Sequence, residues 1–133
     1  RNRINIIQTN DASEITVFES NLEKADVVLI DAPCSGLGIL RRNPVAKWHI
    51  NPERMKELQS LQFQILQKNA ALVKKGGKLI YATCSIFPSE NSEQIQAFLN
   101  SEVGKRFTLK REETLLAHQT GFDGFFIAEL SAE

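Results

Sequence analysis

Two thiols and one carboxylate are the residues of this sequence best suited to chemistry. Cys34 stands in Asp31-Ala32-Pro33-Cys34-Ser35-Gly36-Leu37-Gly38, and Cys84 in Tyr81-Ala82-Thr83-Cys84-Ser85. Each follows an apolar run, Val27-Val28-Leu29-Ile30 in the first case and Leu79-Ile80-Tyr81-Ala82 in the second. A cysteine taken alone is usually a small buried hydrophobe. Two thiols just past two strands, with Asp31 beside one of them, suit reaction better than packing. Three chemistries compete for the set. A metal site needs finger or ribbon spacing, which Cys34, Cys84, His49 and His118 lack, so no metal is expected. A redox pair has no Cys-x-x-Cys spacing here. Nucleophilic catalysis uses all three groups: a thiolate attacks an electrophilic carbon while an acid or donor stabilises the developing charge.

The elements that must position these groups read as an α/β pattern. Arg3-Ile4-Asn5-Ile6-Ile7-Gln8 predicts a short strand ending near Asn10-Asp11, and Thr9 to Lys24 a loop or short helix. Val27 to Ile30 is continuously apolar, the pattern of a parallel strand covered on both faces. Asn51-Pro52-Glu53 supplies an N-cap, a first-turn proline and an acid for the helix dipole. Met55, Leu58, Leu61, Ile65, Leu66, Ala70, Leu72 and Val73 then recur at helical spacing, with Lys74-Lys75 near the expected end and Gly76-Gly77 as the stop. Lys78 to Thr83 predicts the next strand. Pro88-Ser89-Glu90 opens a helix with Ile95, Phe98 and Leu99 inward. Phe107-Thr108-Leu109 and Phe125-Phe126-Ile127-Ala128 predict two closing strands, with Phe122, Phe125 and Phe126 in the core and Asp123-Gly124 as a turn. Strands joined by helical crossovers form a parallel arrangement, and ligands of such sheets sit at the carboxyl ends of the strands. Asp11, Asp31 to Cys34, and Thr83 to Ser85 all fall there.

Bulk properties narrow the function. The chain has 133 residues, enough for one domain, and its 16 basic and 16 acidic side chains cancel. Net charge therefore gives no nucleic-acid footprint, and any such role must come from local geometry. No apolar run approaches a membrane span and the start has no signal-peptide pattern. With two cysteines and no secretory feature, free thiols in the cytoplasm are expected.

The motifs resemble one family. Asp31-Ala32-Pro33-Cys34-Ser35-Gly36, Arg41-Arg42-Asn43-Pro44 with Lys47-Trp48, Leu58-Gln59 and Leu61-Gln62, Gly76-Gly77, Tyr81-Ala82-Thr83-Cys84-Ser85, Glu90-Asn91 and Asp123-Gly124-Phe125-Phe126 follow the pattern of RNA cytosine-5 methyltransferases. The nearest group is the Sun/Fmu (RsmB-type) ribosomal RNA methyltransferases of bacteria, and the resemblance runs from about Asn5 to Leu130. It implies S-adenosylmethionine as cofactor and methylation of C5 of a cytosine in ribosomal RNA, small-subunit RNA in particular, through a covalent cysteine–C6 adduct. In DNA cytosine methyltransferases the nucleophile lies in a Pro-Cys motif, which would select Cys34. In the RNA family it is the Thr-Cys-Ser cysteine, which selects Cys84 and leaves Cys34 to assist release. The resemblance further implies that Asp31 stabilises charge near N3 of the base, that Asp11 contacts the adenine of the cofactor, and that Asp31 and Pro33 line its methyl-facing side. Arg41, Arg42 and Lys47 are candidates to hold RNA phosphate. Trp48 reads as a packing anchor, and His49 and His118 receive no role.

The family's Gly-rich cofactor loop and ribose-binding acid do not occur in the sequence. The expectation is a Rossmann-like α/β methyltransferase fold truncated at its N-terminal side, with residues 1–133 as the C-terminal portion of the catalytic domain, inactive and weak in cofactor binding alone. Two further strands would separate the first strand from Val27–Ile30. Without them, sheet edges and an apolar face would be open to self-association. A non-catalytic RNA-binding or scaffold module of the same fold is the alternative. Neutral charge argues against it, and the two thiols with Asp31 argue for chemistry.

Overall fold

The computed structural model describes residues 19–37, 51–116 and 123–133. The strand expected at residues 3–8, the candidate residues Asp11, Arg41, Arg42 and Lys47, and Trp48, His49, His118 and Phe122 lie outside them.

Six elements follow in chain order. Strand β1 is Ala25–Asp31, helix α1 Pro52–Ala70, strand β2 Val73–Thr83, helix α2 Ser92–Leu99, strand β3 Phe107–Leu115 and strand β4 Phe125–Ala132. They build a four-stranded sheet in the order β1-β2-β4-β3. β1 and β2 run parallel, with Val28 opposite Leu79 and Asp31 opposite Ala82, while β4 runs antiparallel to both β2 and β3. The two closing strands thus form as expected, β3 extending beyond Leu109 to Leu115.

Helix α1 starts where its sequence dictates. The Asn51 side chain accepts a hydrogen bond from the Arg54 amide at 2.8 Å, satisfying one of the orphan donors of the first turn, and Pro52 has no donor to lose. Its end differs from the expectation. The helix stops at Ala70, and Val73 to Gly77 belong to β2. Tertiary partners take the carbonyls there: Arg106 Nη2 donates to Ala70 and Val73 at 2.6 and 2.9 Å, and the amides of Glu23 and Ala25 donate to Ala71 and Leu72. Lys74, Lys75 and Gly76 then bulge out of the strand, since Val73 to Lys78 lies opposite only Ala25 to Val27. Lys74 pairs across the bulge with Asp26. Gly76 adopts φ +82°, and a Cβ on Gly77 would stand 2.9 Å from the Ala25 carbonyl oxygen. The glycine pair serves a strand bulge rather than a helix stop.

Both helices cover one sheet face. Leu66 and Ala70 of α1 and Ile95 and Phe98 of α2 join Ile30, Leu79, Tyr81, Phe126, Ala128 and Leu130 in a single core. Tyr81 and Phe126 meet edge-on at 6.3 Å, and Phe98 packs on Phe107 at 5.5 Å. The expected inner face of α2 is Ile95 and Phe98, with Leu99 partly buried, but Pro88–Glu90 forms its own tight 3₁₀ turn before α2 begins. The opposite face is not covered among the described residues. Val27 and Leu29 are 53% and 66% exposed, contrary to the two-sided burial that their apolar run suggests. Leu61, expected inward, is 42% exposed while its neighbour Gln62 is fully buried. Phe125 is likewise exposed, in contrast to Phe126. Asp123 and Gly124 directly precede β4.

Candidate functional site

Parallel pairing brings the two motifs together. Because β1 and β2 run the same way and end in register, the chain leaves both at the same edge of the sheet. The ladder continues one step past β1, with the Ala32 amide donating to the Ala82 carbonyl at 2.9 Å. Cys34 follows on one side and Cys84 on the other, and their sulfurs lie 3.2 Å apart. Both are free and half-buried. They are close enough for one S–H to donate to the other sulfur. The hydrogen bond from Cys34 favours the thiolate of Cys84 and lowers it to about 7, with a main-chain hydrogen bond adding to this and burial, Asp31 and Glu90 opposing. Cys34 is pushed up for the complementary reason, its proton being engaged by Cys84, and by burial. A thiolate that exists near neutral pH is the reactive form of cysteine.

Asp31 ends β1, opposite Ala82, with its side chain exposed. It lies near enough to Cys84 for its charge to oppose ionisation of that thiol. Pro33 is also exposed, and its carbonyl accepts from Gln62 Nε2 at 2.8 Å. Cys34, Cys84 and Asp31 therefore converge at one strand edge, open to solvent on the side of Asp31, Pro33 and Ile86.

Beneath the thiols is a buried polar cluster to which sequence reasoning assigned no function. Glu90 is fully buried. Its carboxylate accepts from the Ser35 amide and the Ser35 hydroxyl at 2.7 Å each, from Gln62 Nε2 at 3.2 Å and from the Ser85 hydroxyl. Asn91 ties the second motif to the next turn: its Oδ1 accepts from the Thr83 hydroxyl at 2.6 Å and its Nδ2 donates to the Ser85 carbonyl at 2.9 Å. Gln94 Nε2 donates to Gln62 Oε1 at 3.2 Å and to the Gln59 carbonyl at 2.6 Å. Each of these buried polar side chains has at least one partner, as burial demands. One signal for the cluster was in the sequence: each cysteine is followed by a serine. Glu90 and Gln62 stand in the matched motifs Glu90-Asn91 and Leu61-Gln62 with no role attached, because each reads locally as a helix-surface residue.

Comparison with known proteins bears on the family and the fold. The profile of the family described as 16S rRNA methyltransferase RsmB/F matches residues 2–131. The probable ribosomal RNA small subunit methyltransferase B of Bacillus subtilis (strain 168) is 38% identical, over 92% of this chain and 31% of its own length. Among solved structures, that of PH0851 superposes with a TM-score of 0.78 at 37% identity, covering 82% of this chain and 27% of its own. A methyltransferase homolog protein from Pyrococcus horikoshii gives 0.72 at 28% identity, covering 90% and 43%. The chain thus spans less than half the length of each relative. The α/β arrangement is that of the Rossmann-like methyltransferases.

Proposed function

Because the chain belongs to the 16S rRNA methyltransferase RsmB/F family, we propose that it carries the reacting thiols of an enzyme that methylates C5 of a cytosine in small-subunit ribosomal RNA. The observation that carries the reading is the pair of sulfurs 3.2 Å apart at the carboxyl ends of two parallel strands, with the hydrogen bond from Cys34 favouring the thiolate of Cys84.

The chemistry follows from what cytosine lacks. C5 of the aromatic ring is a weak nucleophile, and addition of a thiolate at C6 turns it into an enamine carbon. Cys84 makes that bond, and the ring's electron pair moves to C5. Cys34, whose proton is engaged by Cys84 before attack, keeps that proton as Cys84 becomes a thioether. After C5 has gained its methyl group a base removes the C5 proton, the electrons re-form the C5–C6 double bond and Cys84 leaves as thiolate. Cys34 assists that departure by returning as hydrogen-bond donor to the thiolate. Splitting one hard substitution into addition and elimination is the gain from covalent catalysis. Asp31, exposed beside the pair, is proposed to interact with the base near N3 and stabilise charge in the adduct. The target base must be unpaired or turned out to expose C6 to a side chain, as RNA loops permit.

S-adenosylmethionine supplies an electrophilic methyl group on a cationic sulfonium. Exposed Asp31 and Pro33 at the strand edge fit that group: a carboxylate and an open apolar ring offer complementary charge and room beside the thiols. Asp11 is proposed for its adenine, and Arg41, Arg42 and Lys47 for RNA phosphate. With ribosomal RNA as the substrate, the proposed place of action is the cytoplasm.

The test compares two variants of the full-length protein on ribosomal RNA. Cys84→Ala should abolish both methyl transfer and the denaturant-resistant protein–RNA adduct. Cys34→Ala should accumulate the adduct, because attack survives and release does not. Trapping by Cys84→Ala would reverse the roles, and full methyl transfer by Cys84→Ala would end the reading.

A further inference from the structure

The main-chain ladder between β1 and β2 ends at Ala32 and Ala82, before either cysteine. Beyond it the two thiol-bearing loops need another tie, and the links between them are few. The hydroxyls of Ser35 and Ser85 stand 3.3 Å apart, the sulfurs 3.2 Å apart, and one carboxylate, that of Glu90, accepts from both serines. Glu90 is itself fixed from three sides. Gln62 of α1 donates to it and to the Pro33 carbonyl of the first loop, Gln94 of α2 holds Gln62, and the Tyr81 hydroxyl donates to the Glu90 main-chain carbonyl at 2.7 Å.

We propose that Glu90 is a positioning residue for the two thiols: by holding Ser35 and Ser85 on one carboxylate, it sets the separation of the Cys34 and Cys84 sulfurs. The physical argument is one of cost and geometry. A buried carboxylate is expensive unless every acceptor site is filled, and a well-packed apolar group would serve stability equally well. What an apolar group cannot do is hold two loops at a fixed distance by directional bonds to each. Each serine is bonded directly to its cysteine in the chain, so a shift of either hydroxyl carries a sulfur with it. This inference deepens the reading in which Cys84 attacks the base, and rests on it for its consequence in catalysis.

Electrostatics makes the idea separable from a plain charge effect. The side chains that act on Cys84 are Cys34, whose hydrogen bond favours the thiolate, and Asp31 and Glu90, whose negative charges oppose it. Removing the Glu90 charge with the thiols left in place would make Cys84 ionise more easily. Letting the loops separate would take away the Cys34 hydrogen bond and make it ionise less easily. The two effects have opposite sign.

The measurement is the rate of Cys84 alkylation by iodoacetamide in the intact chain against pH, read by peptide mass, with circular dichroism as the check on folding. Glu90→Gln keeps the shape and replaces an acceptor oxygen by a donor facing either the serines or the Ser35 amide. The expected result is a midpoint raised by about one unit, which is tenfold in thiolate well below the midpoint. An unchanged or lowered midpoint in folded Glu90→Gln overturns the proposal. If Glu90→Gln does not fold, Ser85→Ala decides by the same criterion, since it removes one hydroxyl and keeps the carboxylate. The assay reads the state of the thiol and not turnover, so it stands or falls apart from the assignment of Cys84 as nucleophile, which the RNA-adduct experiment tests.

Discussion

Replacing Cys34 by alanine probes the thiol pair most directly. The substitution removes the S–H that donates to Cys84 across 3.2 Å and leaves the main chain and the Glu90 cluster in place. That hydrogen bond is the leading cause holding Cys84 at about 7, against an ordinary value of 9.0. Burial, the next largest cause, pushes the other way and exceeds the lowering by the main-chain hydrogen bond, so with Asp31 and Glu90 also opposing, the midpoint without Cys34 should return to 9.0 or above. At pH 7 the thiolate fraction would fall from about one half to about one hundredth, roughly fiftyfold for a change of two units. The rate of alkylation falls less. A more basic thiolate is a better nucleophile, with a Brønsted slope of about 0.4–0.5, which restores roughly eightfold and leaves a net loss of about sixfold at pH 7. The midpoint is therefore the decisive quantity. Stopped alkylation at a series of pH values, with Cys84 followed by peptide mass, gives it without assumptions about intrinsic rate. A Cys34→Ala midpoint that stays near 7 would refute the reasoning, because Cys84 would then owe its ionisation to something other than its neighbour.

Other outcomes follow from the same structure. The thiol pair should make stability depend on pH with a definite sign. Cys84 ionises lower folded than unfolded, so its contribution is full above about 9, shrinks as pH falls and is gone below about 7. Cys34 stays protonated in the fold, so stability should fall again above pH 9; thermal melts of the wild type against Cys84→Ala across this range check both limbs. Leu66, fully buried in the core, should cost about 2–5 kcal/mol when cut to alanine, measured by urea unfolding; a loss under 1 kcal/mol would contradict the packing described. Gly77→Ala places a Cβ 2.9 Å from the Ala25 oxygen and 3.0 Å from the Asp26 oxygen, and should destabilise by about 1–3 kcal/mol through displacement of β1; a neutral result would show that the bulge yields freely. The open face bearing Val27 and Leu29 predicts concentration-dependent self-association of the chain, which Leu29→Glu should reduce in sedimentation velocity.

The sequence by itself determined the parts that depend on neighbours along the chain. Asn51-Pro52-Glu53 starts a helix because capping is a local hydrogen bond, and the apolar runs before Asp31 and Thr83 form strands because their residue types suit a sheet. With two strands joined by a helical crossover, parallel pairing followed, and with it the meeting of Cys34, Cys84 and Asp31 at one edge. Helix α1 ended early where Arg106 took the carbonyl of Ala70 and Glu23 and Ala25 those of Ala71 and Leu72 just beyond it, and those donors come from far along the chain. The two-sided burial read into Val27 and Leu29 failed because periodicity reports apolar content and not what covers it. Gln62 displaced Leu61 from the interior because the core held polar partners for it: Pro33, Glu90 and Gln94. Only the tertiary structure decided that the two thiols lie within hydrogen-bond distance and that one buried carboxylate accepts from the serine beside each of them. Both depend on distances of about 3 Å between residues far apart in sequence, set by the packing of two helices against the sheet.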